Sequence, residues 1–512
     1  MIISNLNLTQ NEENHYIMSS RDGKIFSKEN YKKYNIKNIE IDIFDDIQVS
    51  FEMNNDDYHD LIMYNDTPKK RDNKYYEKIP YSPEFKSIII KCSFNDYEIE
   101  LIDYIGREIF YEMGKIKSPK LSGICSYCKL IKNNEEINYA EKVKIWDAYN
   151  TDFKISNYFC LDFKNEHLKK SILISKNNNC KLDENIKINL EKVFEEINPN
   201  NWFIYQKQKY EDYLKNHNEF IENIDLLLSF FTSTINHHRM RVIETIDSKK
   251  LIIIFKSKNM YKLNGYTIFS PQPNTFMNFI DSSYEKIIEL KESNFNIELL
   301  IQYYIWFKNE YYLDMRHLMG SIFLETLIKQ YYKNEKKKFA KKLKKILEHE
   351  LNFNISKIFD EFEKGLLSDL EKIKISKMNE LNNDKNINIV LKRFKEFLFI
   401  EILTKYRNKN VHSGEIKLNN YDLNEILENS LIKTSKDLNG KKNEEVIKIL
   451  YENKDQLMKS EYLNNLDTQN IVLENLIEII LLKLLDTNCG LLPNKLRKNV
   501  NSKEYLKSLS KK

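Results

Sequence analysis

The stretch Tyr406-Arg407-Asn408-Lys409-Asn410-Val411-His412-Ser413-Gly414 joins a permanent cation to a proton-transfer group within five positions, directly after an amphipathic run from Ile387 to Lys405. The chain holds nine Arg and nine His in 512 residues, so chance places a His five positions after an Arg about 0.16 times. Arg presents a planar, always charged fork that matches phosphate oxygens, and His gives or takes a proton near neutral pH. Together the two groups suit metal-free RNA cleavage. The imidazole removes the proton of a ribose 2′-hydroxyl, and the guanidinium stabilises charge growing on the phosphorane.

Helical geometry constrains the pair. Five positions on an unbroken helix leave Arg407 and His412 roughly 140° apart around the axis and about 7.5 Å along it. Either the helix ends near Asn408, with Asn410 and Gly414 as terminators, or the Arg of one subunit meets the His of another. The bland alternative is an exposed helix C-terminus, where Arg, Lys and His complement the dipole.

Arg407-Asn408-Lys409-Asn410-Val411-His412 resembles the R-(x)4-6-H signature of HEPN domains, in the form with Asn after Arg. Leu318-Met319-Gly320-Ser321-Ile322-Phe323-Leu324-Glu325-Thr326-Leu327 resembles the first HEPN helix, with Glu325 where a polar residue points at the site. A strand-rich N-terminal part followed by such a region resembles the ApeA-like group of bacterial anti-phage proteins. The HEPN likeness covers roughly the last 200 residues. It implies a metal-independent endoribonuclease leaving a 2′,3′-cyclic phosphate, with two motifs meeting across a homodimer. It also implies antiviral defence by abortive infection: a phage-encoded trigger is sensed and cellular RNA is cut, tRNA being one candidate. On this reading His412 is the general base or acid, Arg407 the phosphate clamp, Asn408 orients the pair and Glu325 tunes it. Lys409, Lys341 and Lys345 are the candidate contacts to the RNA backbone. The rival is a non-catalytic helical bundle that binds RNA or a partner.

The elements that must position these residues follow from periodicity. The length predicts two to four domains, and 41% hydrophobic with 12% aromatic content excludes a disordered chain. The net charge of +4 does not by itself announce a nucleic-acid binder. No run of 18 apolar residues and no basic leader is present, so a cytoplasmic protein that does not enter membranes is expected. The fold class expected is α+β: an antiparallel β-rich domain over 1–205, a helix plus β-hairpin connecting region over 206–275, and an all-helical bundle over 276–512 with a basic tail.

Ile39, Ile41 and Ile43, then Ile47, Val49, Phe51 and Met53, alternate with polar neighbours and predict a hairpin. Phe85 to Phe94 and Tyr97 to Tyr104 flank Asn95-Asp96 and predict another. Val143 to Trp146 and Ser171 to Ile174 extend the pattern, while 54–78 reads as a loop. Gln206 to Thr232 reads as helix, Arg241 to Thr245 with Leu251 to Phe255 as a hairpin, and Ser270-Pro271-Gln272-Pro273 as a boundary.

Other candidates are weaker. Cys125-Ser126-Tyr127-Cys128 has the spacing of half a structural zinc site, with Cys160, His167 and Cys180 as irregularly spaced completions; reduced, part-buried thiols are the alternative. No cofactor is expected for catalysis. His237-His238-Arg239 reads as a solvated turn, and adjacent Arg316 and His317 as surface or capping groups. The run Lys333 to Leu347 presents its lysines opposite an apolar stripe, and the tail after Pro493 reads as a frayed basic end or a phosphate contact.

Overall fold

A computed structural model describes the chain apart from residues 1–8, 12–14, 28–31, 44–45, 59–60, 62–87, 95–96, 111–119, 133–136, 151–159, 163–170, 176–200, 236–237, 239, 248–249, 257–267, 270–272, 334–337, 363–383, 413–418, 439–440, 460–464, 492–500 and 512. The fold is α+β, and the chain divides into two compact units. The first comprises 1–225 and 236–262, the second 226–235 and 263–512.

The first unit carries one antiparallel sheet. Numbered along the chain, its strands are β1 (Thr9–Asn11), β2 (His15–Ser27), β3 (Lys33–Ile43), β4 (Ile47–Met53), β5 (Ile88–Phe94), β6 (Tyr97–Ile102), β7 (Ile105–Phe110) and β8 (Lys120–Cys125). They continue as β9 (Tyr127–Lys132), β10 (Lys142–Asn150), β11 (Cys160–Asp162), β12 (Ser171–Ser175), β13 (Asn201–Lys209), β14 (Met240–Thr245) and β15 (Leu251–Lys256). The order across the sheet is β11-β12-β13-β10-β14-β15-β9-β6-β5-β2-β3-β4-β8-β7, with β1 beside β2. Both hairpins expected from alternation are present: Ile41 pairs with Val49, and Lys91 with Glu100. Their inward residues, among them Ile39, Ile41, Val49, Ile90 and Ile99, form the main core.

Strands β10, β14 and β15 are covered on both faces, which is why Arg241 to Thr245 and Leu251 to Phe255 lack clean alternation. Trp146, Val242 and Ile253 join the main core, while Val143, Ile145, Ile243 and Ile252 pack on the opposite face with Tyr213. The β14–β15 hairpin is therefore not a connector, as the 206–275 assignment had it. It pairs with β10 on one side and β9 on the other. The expected helix start at Gln206 is also displaced, because Asn201–Lys209 is a strand and helix begins at Tyr210. It passes through a π-helical turn, Tyr213–His217, into Asn218–Thr232.

The second unit is helical. Numbering its helices as α1 (Pro273–Glu292), α2 (Ile297–Asn309), α3 (Leu313–Tyr331), α4 (Phe339–Lys345), α5 (Ile355–Phe362), α6 (Asp384–His412), α7 (Asn420–Asp437), α8 (Lys441–Glu452), α9 (Lys454–Met458), α10 (Leu466–Leu484) and α11 (Ser502–Leu509) follows the chain. Helix α6 packs through Val390, Phe394, Leu398 and Leu403, whereas Ile389, assigned to that stripe from sequence, is exposed. Gly320 lets α3 approach α10 closely: a Cβ there would lie 2.9 Å from both Leu473 Cγ and Phe307 Cε2. Among the described residues no helix is long and apolar enough to cross a membrane.

The described part of the basic tail is docked, not frayed. Tyr505, Leu506 and Leu509 are buried, and Asn354 N donates to the Leu509 carbonyl at 2.8 Å. The start of the 54–78 segment likewise packs, with Tyr58 and Leu61 buried; 62–78 lies outside the described residues, as does Ser270-Pro271-Gln272.

Candidate functional site

Helix α6 runs without interruption through Asn408 to His412, so the terminator expected near Asn408 is not where the helix ends. Asn410 does not stop it, since nothing in an Asn compels a left-handed residue. Arg407 and His412 are thus two positions of one continuous helix, roughly 140° apart. The side chain of His412 and Gly414 lie outside the described residues.

Among the neighbours that hold Arg407 are Glu325, Asn408 and Phe339. Its Nη2 lies 3.2 Å from Glu325 Oε2, its Nη1 donates to Asn408 Oδ1 at 2.9 Å, and its guanidinium carbon lies 5.4 Å from the centre of the Phe339 ring. These partners come from α3, from the adjacent position on α6, and from the first residue of α4. Glu325 thus reaches Arg407 from the neighbouring helix α3. Burial raises the Glu325 pKa, but the Lys329 ammonium, 3.2 Å away, and the Arg407 charge outweigh it and hold it below the usual carboxylate value. The Glu325 carboxylate is accordingly ionised at neutral pH.

The other expected RNA contacts differ in availability. Lys409 bonds Asp422 at 2.5 Å, and Lys405 reaches Asp422 at 3.2 Å and Glu425 at 2.6 Å. Asp422 in turn closes a capping box with Asn419 at the start of α7. Burial raises the Asp422 pKa, but the two lysines and the Asn419 amide lower it further, so Lys409 faces a permanent carboxylate. Lys341 is exposed on α4, and Lys345 lies 4.7 Å from the ring of Tyr332.

Cys125 and Cys128 end one strand and enter the next across Ser126, both buried in the main core. Burial pushes both thiols well above their ordinary value. Among the described residues no group of three or more His, Cys, Asp or Glu is placed to hold a metal; the side chains of Cys160, His167 and Cys180 lie outside them.

Arg316 and His317 are not surface groups. Arg316 Nη2 pairs with Glu474, and His317 Nδ1 lies 2.9 Å from Asn470 Oδ1, so both fasten α3 to α10. Burial brings His317 down to about 4. His238 is likewise no solvated turn residue: its ring and backbone amide both meet the Asp225 carboxylate. His237 and Arg239 lie outside the described residues.

A second polar constellation, in the first unit, escaped the sequence. Asp147 on β10 accepts from Arg241 Nε at 2.6 Å, and its other oxygen lies 2.7 Å from His217 Nε2. Arg241 also donates to Asn218 at 2.8 Å and Tyr213 at 3.3 Å, while His217 Nδ1 lies 2.8 Å from Gln206. Burial raises the Asp147 pKa, yet Arg241 and His217 together drive it far below the usual range. Asp147, His217 and Arg241 are all buried, so the cluster ties the π-helical turn to β10 and β14. No protein-family model, no curated protein and no solved structure matches this chain.

Proposed function

We propose that the chain is a metal-independent endoribonuclease of HEPN type, active as a homodimer in which Arg407 of one copy and His412 of the other act on one phosphodiester. The observation that carries this reading is the continuity of α6 through His412. It separates the two groups within a chain while Glu325, Asn408 and Phe339 fix the guanidinium. In the reaction His412 takes the 2′-hydroxyl proton, the 2′-oxygen attacks phosphorus, and the P–O5′ bond breaks as the 5′-oxygen takes a proton from water. Arg407 donates to the phosphoryl oxygens as charge builds there. The products are a 2′,3′-cyclic phosphate and a 5′-hydroxyl. Defence against phage, an infection trigger sensed by the β-rich unit, and tRNA as substrate belong to the same proposal through the HEPN and ApeA-like resemblance.

Total RNA incubated in EDTA with the parent, Arg407→Ala and His412→Ala tests it. Losses of about 100-fold or more are expected for each variant. Equal cleavage by all three proteins removes the assignment. The second reading, a non-catalytic bundle that binds RNA or a partner, is favoured by the Glu325 pairing, because a guanidinium already facing a carboxylate also serves as a helix-to-helix fastener. Absence of cleavage by the parent, with RNA retention intact, selects it.

A further inference from the structure

In the second unit a cleft of about 470 Å³ opens between the π-helical turn Ile346–Glu350, the start of α5, the middle of α6 and Lys511. Its volume lies in the range of small-ligand sites. Four cations line it, Lys357, Lys392, Arg393 and Lys511, against two carboxylates, Glu348 and Glu396.

The carboxylates are already engaged. Glu396 accepts from Arg393 at 2.7 Å and has Lys344 at 4.0 Å, while Glu348 has Lys344 and Lys511 each at 3.9 Å. Arg393 also meets Asp437 at 3.1 Å. Lys392 is exposed and makes no hydrogen bond or ion pair among the described residues. The cleft therefore keeps an excess of positive charge.

Two features aim this charge inward. Asn354 and Ile355 line the cleft at the start of α5, where Asn354 Oδ1 accepts from the Lys357 amide at 3.3 Å as an N-cap. The first helical amides have no intrahelical acceptor, and the dipole at that end attracts anions. Lys511 is delivered by a built clamp: its amide donates to the carbonyl of Asn352, a residue in the left-handed region, and Phe353 bridges Ser510. Lys357 Nζ donates to the Ser508 carbonyl at 2.9 Å and lies 3.4 Å from that of Ser510, tying the same tail to the same rim.

We propose that this cleft binds the phosphate group of a phosphorylated ligand, held by Lys392 and Lys511 beside the positive end of α5. Among the described residues no aromatic side chain lines it, so recognition is by phosphate and indifferent to base. The inference does not rest on the nuclease reading.

The test uses the full chain carrying Arg407→Ala, which leaves the cleft intact. Binding of inorganic pyrophosphate is measured by calorimetry, and of a fluorescein-labelled twelve-residue oligouridylate by anisotropy. Saturable binding of at least one probe is expected, weakened tenfold or more by Lys392→Glu with Lys511→Glu. Pyrophosphate alone identifies a free phosphate compound as the source, and oligouridylate alone identifies a nucleic-acid backbone. Lys392→Gln, at an exposed side chain, supplies a milder variant, with circular dichroism to show that the fold is kept. Binding of neither probe, or affinities within twofold in the charge-reversed protein, overturns the proposal.

Discussion

Replacing Asp147 by Asn tests how the π-helical turn is fastened to the sheet. Arg241 is 5% exposed and meets Asp147, the one carboxylate of its cluster among the described residues, through Nε, with Tyr213 and Asn218 taking two further bonds. Removing that carboxylate's charge leaves a guanidinium desolvated without a counter-ion, a change that costs about 3–5 kcal/mol in buried pairs. A unit of this size shifts by about 2–4 °C per kcal/mol, so Asp147→Asn is expected to melt roughly 10 °C below the parent in differential scanning calorimetry. Adding Arg241→Met to the same chain removes the stranded charge and fills its volume. It should restore part of the loss, with a coupling above about 1 kcal/mol in the double-mutant cycle. An Asp147→Asn protein melting within about 2 °C of the parent, or a double mutant less stable than the sum of the singles, would refute this account of the cluster.

Other expectations follow from the second unit. His317 is held neutral by burial, down to about 4 against an unfolded value near 6.5. A group whose folded pKa is depressed keeps its full contribution above the unfolded pKa. The stability of the parent should therefore fall by about 3 kcal/mol as pH drops from 6.5 to 4, and urea melts of His317→Gln should lack most of that slope. Gly320→Ala drives a methyl against Leu473 and Phe307 and should cost about 1–3 kcal/mol by chemical denaturation; an unchanged midpoint would show that α3 and α10 have room to part. Glu325→Ala removes a part-exposed ion pair, so its stability cost should stay under about 1 kcal/mol. As a positioning residue for Arg407 it should nonetheless slow single-turnover RNA cleavage roughly tenfold while RNA affinity holds. An unchanged rate takes Glu325 out of the site.

What sequence could and could not reveal divides along contact range. Alternation in Ile39 to Met53 and around Asn95-Asp96 is a local consequence of one buried face, and both hairpins were legible from it. Strands β14 and β15 were legible as strands but not as central ones, because continuous apolar runs say that both faces are covered without saying by what. Arg407 and Glu325 lie 82 positions apart, and no local pattern joins them. Nothing local marks Arg316 and His317 as buried, since their partners Glu474 and Asn470 lie on another helix. The same holds for Asp147, whose neighbours His217 and Arg241 are 70 and 94 positions away. The capping box of Asn419 with Asp422 was missed although it has a local signature, an Asn followed three positions later by an acid.

Mixing two inactive variants addresses the composite centre most directly. Arg407→Ala and His412→Ala, differently tagged and co-expressed, form half of their dimers as heterodimers when made in equal amounts. Each such dimer carries one centre with both groups intact and one with neither. Cleavage of RNA in EDTA should then recover to about a quarter of the parent rate, with 2′,3′-cyclic phosphate ends. A mixture no more active than its two components, beside a parent that cleaves, would contradict a centre shared between two copies of α6.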